Sequence, residues 1–105
     1  MKATGRNQEQ LLRQLRAISD PTRLRILALL KRPGCCSCEE IDPRSPGMCV
    51  CDLEKEFPLT QPTITHHLQV LRDARLIDCR KLGLWVYCKR KEEAIRRLGE
   101  ILAEV

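Results

Sequence analysis

Thr60-Gln61-Pro62-Thr63-Ile64-Thr65-His66-His67-Leu68-Gln69-Val70-Leu71 reads as a helix from its first residue. Thr60 is the expected N-cap, Gln61-Pro62 open the helix, and Ile64, Leu68 and Leu71 recur on one buried stripe. Just upstream, Cys49 to Phe57 gives a shorter helix in which Val50, Leu53 and Phe57 share a face, and Pro58 forbids its continuation. Two helices joined by so tight a turn form a helix-turn-helix.

With Ile64 turned inward, a step of about 100° per residue puts Pro62, His66 and Gln69 roughly opposite it and Thr63 and Thr65 on the flanks. Amides and hydroxyls on that face suit base edges in a major groove, and the helix N-terminus favours a phosphate. A plain solvated face of Gln and Thr has the same composition, and the residues that separate the two readings lie downstream. Ile77 to Lys81 and Trp85 to Lys89 are β-rich runs around a Gly83-centred turn, and they carry Arg80, Lys81 and Lys89. A helix-turn-helix followed by a basic hairpin is a winged helix, mainly α with a small β-hairpin. Candidate DNA contacts are then Gln61, Thr63, Thr65, His66 and Gln69 from the helix, with Arg80 and Lys81 on the backbone. Adjacent histidines point about 100° apart and do not chelate one ion together, so His67, nearer the apolar stripe, is expected to be a hydrogen-bonded, half-buried residue.

Toward the N-terminus, Leu11, Leu12, Leu15 and Ile18 recur at helical spacing over residues 8–18. Asp20-Pro21 caps and opens a second helix over Thr22 to Lys31, apolar almost all round, which Pro33-Gly34 stops. The last helix, roughly Glu92 to Glu104, sets Ala94, Ile95, Leu98, Ile101, Leu102 and Val105 on one stripe. A single winged-helix domain spanning 105 residues has no core left to absorb both terminal helices. Leu11, Leu12, Leu15, Ile95, Leu98, Ile101 and Leu102 are therefore assigned to a homodimer interface.

Lys+Arg 19 against Asp+Glu 14 gives a net charge of +5, which favours a polyanionic partner such as nucleic acid. At 43% hydrophobic and 31% charged residues the chain is not of disordered composition, and no run approaches the roughly 20 apolar residues of a membrane-spanning helix. Met1 to Gln10 carries no apolar signal segment, so a cytoplasmic, reducing location is expected. In that setting seven cysteines point to metal or redox chemistry rather than a disulfide scaffold. Cys35, Cys36 and Cys38 fall in a Pro- and Gly-rich inserted loop over residues 33–48, close before Cys49 and Cys51. Thiolates without histidine select soft, thiophilic ions.

These residues resemble the ArsR/SmtB family of dimeric winged-helix metalloregulatory repressors. The resemblance rests on Ser19-Asp20-Pro21-Thr22-Arg23-Leu24-Arg25-Ile26-Leu27, Cys49-Val50-Cys51-Asp52-Leu53, Thr60 to Leu68 and Gly83 to Tyr87, and spans about residues 10 to 90. Cys49-Val50-Cys51-Asp52-Leu53 looks like the arsenic-sensing motif of the ArsR branch, whose members hold their own promoter until trivalent arsenic or antimony binds cysteine thiolates. The resemblance thus implies As(III) or Sb(III) as effector, no cofactor for DNA binding, and three sulfurs in a pyramid. Glu54 stands where the family motif has its third cysteine, so the set becomes Cys49, Cys51 and one of Cys35, Cys36 or Cys38. Arg75 stands where the family has glycine after the recognition helix, and the C-terminal helix lacks the histidine of the zinc-sensing branch.

Two other uses of the thiols stay open: a four-thiolate zinc, cadmium or lead site from Cys35, Cys38, Cys49 and Cys51, and a redox switch in which Cys49 forms a disulfide. If both are helical, Cys49 and Cys51 point about 200° apart, so effector binding is expected to unwind the first turn of their helix. Cys79 and Cys88 face each other across a two-residue Gly83-Leu84 turn and are expected to be half-buried packing residues, with a redox disulfide or a second metalloid site as alternatives. No Ser/His/Asp or paired-carboxylate constellation is present, and Cys35-Cys36-Ser37-Cys38 lacks the strand-helix setting of a thiol oxidoreductase, so no enzyme is expected. A metal-storage role leaves the helix-turn-helix and its basic wing without a purpose.

Overall fold

The N-terminal leucine repeat forms α1 (Gly5–Ile18), which starts three residues earlier than its apolar pattern requires. The structure, a computed structural model, describes residues 5–31 and 47–105, with side chains from Gln8 onward. Cys35, Cys36 and Cys38, and nearly all of the inserted loop, lie outside the described residues. Asp20 caps α2 (Pro21–Leu30): its backbone is extended at φ −136° and ψ 129°, and its carboxylate accepts from the Arg23 backbone N–H at 3.0 Å. That bond is the first cause holding the Asp20 carboxyl below the ordinary carboxylate range. Ile26, Leu27, Leu29 and Leu30 are buried because α2 packs against α1 on one side and against the second helix of the helix-turn-helix and the hairpin on the others.

After α2 come β1 (Met48–Cys49), α3 (Val50–Lys55), α4 (Gln61–Asp73), β2 (Ile77–Leu82), β3 (Trp85–Arg90) and α5 (Glu92–Glu104). The hairpin register runs from Ile77 opposite Arg90 to Leu82 opposite Trp85, which leaves Gly83 and Leu84 as the two-residue turn. Gly83 sits at φ +63°, the left-handed conformation such a turn demands. A third, antiparallel strand was not expected: β1 lies along β3, with Met48 opposite Cys88 and Cys49 opposite Tyr87. Gly47 makes this approach feasible, since at φ +110° a Cβ there collides with the Cys88 carbonyl. As a consequence Cys49 belongs to a strand end, and α3 is shorter than the Cys49 to Phe57 helix expected.

The core joins Ile26 of α2, Leu53 of α3, Ile64 and Leu71 of α4, and Leu76 and Ile77 at the start of the wing, all essentially without solvent contact. At the C-terminus of α4, the Leu76 N–H donates to the Leu71 carbonyl at 3.1 Å and the Arg75 N–H to the Arg72 carbonyl at 2.9 Å. With Arg75 at φ +62° this is a Schellman motif, so the corner keeps the geometry glycine favours although the residue is arginine. The Ala74 carbonyl at that end also accepts from Gln14 at 3.1 Å and Gln10 at 3.3 Å, which ties α1 to the end of α4. Gln14 is thus a buried polar residue with its partner in place.

The terminal helices divide their apolar residues. Leu98, assigned from sequence to the interface, is 5% exposed and belongs to this chain's own core, and Leu11, Leu15 and Ile95 pack partly against that core. Leu12 and Leu102 stay 42% and 43% exposed, and Ile101 is half-buried. Among the described residues, no helix is long and apolar enough to cross a membrane.

Candidate functional site

Helix α4 presents two chemically different faces. Ile64, Leu68 and Leu71 are buried, whereas Gln61, Thr65, His66 and Gln69 are exposed and Thr63 is half-buried, as a 3.6-residue period requires. Thr60 has the extended backbone of an N-cap, but its hydroxyl pairs with the Thr63 hydroxyl at 2.9 Å rather than with a backbone amide. The expected side-chain cap is therefore replaced by a contact between two hydroxyls at the head of the helix. The His66 and His67 ring centroids are 5.8 Å apart with planes tilted by 53°, and the two rings serve different partners. His66 faces solvent, while the half-buried His67 meets Arg23, whose Nη1 lies 3.1 Å from Nδ1. Because a guanidinium only donates, Nδ1 accepts and the ring proton sits on Nε2. Arg23 also donates from Nε to the Ala17 carbonyl at 2.7 Å, so one side chain on α2 fixes the end of α1 and the middle of α4.

On the wing, Arg80, Lys81 and Lys89 are exposed, and so are Leu84 and Trp85 at the tip. The wing cations and the polar face of α4 are thus both open to solvent.

The thiols lie between these elements. Cys49 is the N-cap of α3, with φ −67° and ψ 138°, and Cys51 is the second residue of the helix. Because the backbone turns from extended to helical between them, the two sulfur atoms come to 2.8 Å. This corrects the expectation of divergent side chains, which holds only for two residues inside one helix. No unwinding is needed to bring this pair together. Cys49 is buried and Cys51 half-buried. The Cys51 thiol is pushed up to about 11, first by its hydrogen bond with Cys49 and then by burial, so it carries its proton at neutral pH. Both cysteines border a cavity of about 390 Å³ that Glu54 of α3, Gln61 and Thr65 of α4, and Trp85 of the wing also line. Among the described residues no three His, Cys, Asp or Glu side chains converge closely enough to hold a metal, so the described residues supply two thiols.

Cys79 and Cys88 occupy the directly opposed positions expected, but they are joined as a disulfide rather than packing as free thiols. The hairpin register explains this: their Cα atoms are 4.2 Å apart, within the close pairing that alternates along an antiparallel ladder.

A family model described as a helix-turn-helix domain matches residues 18–80. An uncharacterized HTH-type transcriptional regulator of Methanocaldococcus jannaschii is 33% identical over 90 residues, covering 86% of this chain and 88% of that protein. The arsenical resistance operon repressor of Staphylococcus xylosus is 42% identical over 69 residues, 66% of this chain and 54% of that protein. A crystal structure of an ArsR family transcriptional regulator superposes with a TM-score of 0.75 at 28% identity, covering 99% of this chain and 91% of that one.

The chain belongs to the ArsR/SmtB family.

As an ArsR/SmtB-family protein it is a DNA-binding transcriptional repressor, and its relatives are named as regulators of transcription. The matched segment contains α2, β1, α3 and α4, so it includes the Cys49–Cys51 contact and the exposed face of the recognition helix. Several anchors of this ArsR/SmtB-family fold were missed from sequence. The Arg23 bridge and the Gln10 and Gln14 bonds to Ala74 join residues 44, 64 and 60 positions apart, and no local pattern announces such pairs. A signal did exist for β1, in Gly47 placed just before Met48 and Cys49, because glycine beside a short apolar run marks close backbone approach.

Proposed function

We propose that this ArsR/SmtB-family repressor holds operator DNA as a homodimer and releases it when trivalent arsenic or antimony bonds to Cys49 and Cys51. The observation that carries the effector is the 2.8 Å approach of the two sulfur atoms at the start of α3, which offers a soft ion two ligands already together. Arsenical resistance repressors of Staphylococcus xylosus and Staphylococcus aureus, 42% and 41% identical over 69 residues, support the same reading. The third sulfur comes from Cys35, Cys36 or Cys38. Each As–S bond replaces an As–OH bond, and the thiol proton leaves with the hydroxide as water.

On the DNA, Gln61, Thr63, Thr65, His66 and Gln69 read base edges, and Arg80 and Lys81 hold phosphates. A second copy covers Leu12 and Leu102 with the adjoining Leu11, Leu15, Ile95 and Ile101. It sets the two copies of α4 about 34 Å apart, one helical turn of the duplex. Release follows from where the thiols stand. Cys49 is laddered to Tyr87 of the wing, Cys51 is part of α3, and the cavity beside both reaches Gln61 and Thr65. An arsenic ion that draws a residue of the 33–48 segment onto this junction shifts the wing against α4. A coupling of about 1 to 3 kcal/mol suffices to lower operator affinity about 5- to 150-fold.

The test is fluorescence anisotropy of the reduced protein on labelled DNA from upstream of its own gene, titrated with arsenite, antimonite, cadmium and zinc. Release by arsenite and antimonite near stoichiometry, abolished by Cys49→Ser or Cys51→Ser, is the expected result. Release by cadmium or zinc alone replaces the effector with a four-thiolate metal site, and release by oxidant alone replaces it with a disulfide switch.

A further inference from the structure

We infer that the wing holds a second soft-ligand site, gated by redox state: once their disulfide is reduced, Cys79 and Cys88 chelate a trivalent arsenic centre that carries one carbon substituent.

Three observations lead there. The register sets Cys79 directly opposite Cys88, with Cα atoms 4.2 Å apart, so reduction leaves two thiols that still face each other across the hairpin. Both residues border the same cavity of about 390 Å³ that Cys49 and Cys51 line, with Leu68, Trp85 and Val86 on its apolar side and Glu54, Gln69 and Arg72 on its polar side. The apolar side suits an aryl or alkyl group better than a bare ion with three polar positions. Along the ladder Met48 stands opposite Cys88 and Cys49 opposite Tyr87, so Cys88 and Cys49 occupy alternate positions, although both border the same cavity. The wing pair therefore has two thiols of its own, beside the apolar side of a cavity that it shares with Cys49 and Cys51.

The chemistry balances. A cellular dithiol of the thioredoxin class gives two electrons and two protons to the disulfide, becomes a disulfide itself, and leaves Cys79 and Cys88 as thiols. An organoarsenous acid with one As–C bond and two As–OH bonds then exchanges both hydroxyls for sulfur and releases two waters. Arsenic stays trivalent, and two sulfurs plus one carbon complete its pyramid. Cys79 is half-buried and Cys88 fully buried, so exchange begins at Cys79 and closes onto Cys88.

The site is tested in the full chain carrying Cys35→Ser, Cys36→Ser, Cys38→Ser, Cys49→Ser and Cys51→Ser, which removes every other thiol and makes the result independent of arsenite sensing. The protein, reduced with a phosphine and shown by far-UV circular dichroism to keep its helices, is titrated with phenylarsine oxide. Intact mass should rise by one phenylarsenic unit per chain, and the emission of Trp85, the single tryptophan, should change until one equivalent is bound. The disulfide form, and the same chain with Cys79→Ser, should take none. Failure of the reduced, folded chain to bind, or equal binding after Cys79→Ser, overturns the site. Should the five substitutions prevent folding, reduced wild-type protein is loaded and digested. A phenylarsenic bridge between the Cys79 and Cys88 peptides then supports the site, and its absence refutes it.

Discussion

Cys49 Sγ stands 2.8 Å from Cys51 Sγ, two positions along the chain, because Cys49 ends a strand in extended conformation while Cys51 already belongs to α3. The pair is assembled before any ligand arrives. Arsenite should therefore leave the amide hydrogen exchange of Val50–Lys55 unchanged or slower, as measured by mass spectrometry. Faster exchange across that helix would show that binding unwinds it after all.

The proton on Cys51 separates the two classes of effector. Its thiol is raised to about 11, so throughout the neutral range a metal cation must expel that proton to gain the sulfur. Cadmium affinity should then rise about tenfold per pH unit for this proton alone between pH 6 and 8, and fall as the pH falls. Arsenous acid brings its own hydroxide to take the proton away as water, so its affinity should be flat over the same window. Competition titrations at three pH values measure both slopes, and a steep rise for arsenite would contradict the proposed exchange.

Arg75 holds φ +62° at the corner between α4 and the wing, a conformation that costs a side chain about 1 to 2 kcal/mol and glycine little. Arg75→Gly should raise stability by about 1 kcal/mol, a gain of about 4 to 8 °C in Tm for a domain of this size. Thermal unfolding followed at the helical signal checks it, and a loss of stability would mean that the arginine side chain contributes more than its backbone costs.

Exposure alone does not divide the DNA contacts, but chemistry does. Arg80→Ala and Lys81→Ala should weaken binding to all duplexes and each lower the slope of log affinity against log salt by about 1. Gln61→Ala and Gln69→Ala should instead narrow the gap between operator and random DNA by about 1 to 3 kcal/mol, with the salt slope unchanged. Binding isotherms at several salt concentrations on both duplexes make the comparison. The same loss from both groups would remove the assignment.

How far the sequence reached depended on the period of each signal. Ile64, Leu68 and Leu71 repeat often enough to fix α4 and its outward face, and Gly83-Leu84 between two β-rich runs fixes the hairpin register down to Cys79 opposite Cys88. β1 has two residues, too few to show alternation, so by sequence Cys49 reads as part of the following helix and its sulfur contact with Cys51 does not show. The facing cysteines leave packing, a disulfide and a metalloid site all open in sequence, and the 4.2 Å Cα spacing that goes with the disulfide is a property of the folded ladder. Leu98 shares a stripe with Leu102, yet one is buried within the chain and the other exposed, a distinction that requires knowing where α5 docks.

The central claim is that Cys49 and Cys51 are the ligands of trivalent arsenic, and arsenic K-edge X-ray absorption of reduced protein loaded with one equivalent of arsenite tests it most directly. A first shell made wholly of sulfur in the wild type, losing sulfur and gaining oxygen in Cys49→Ser and in Cys51→Ser, is the predicted result. An oxygen-only shell, or a sulfur shell that both substitutions leave unaltered, would contradict it.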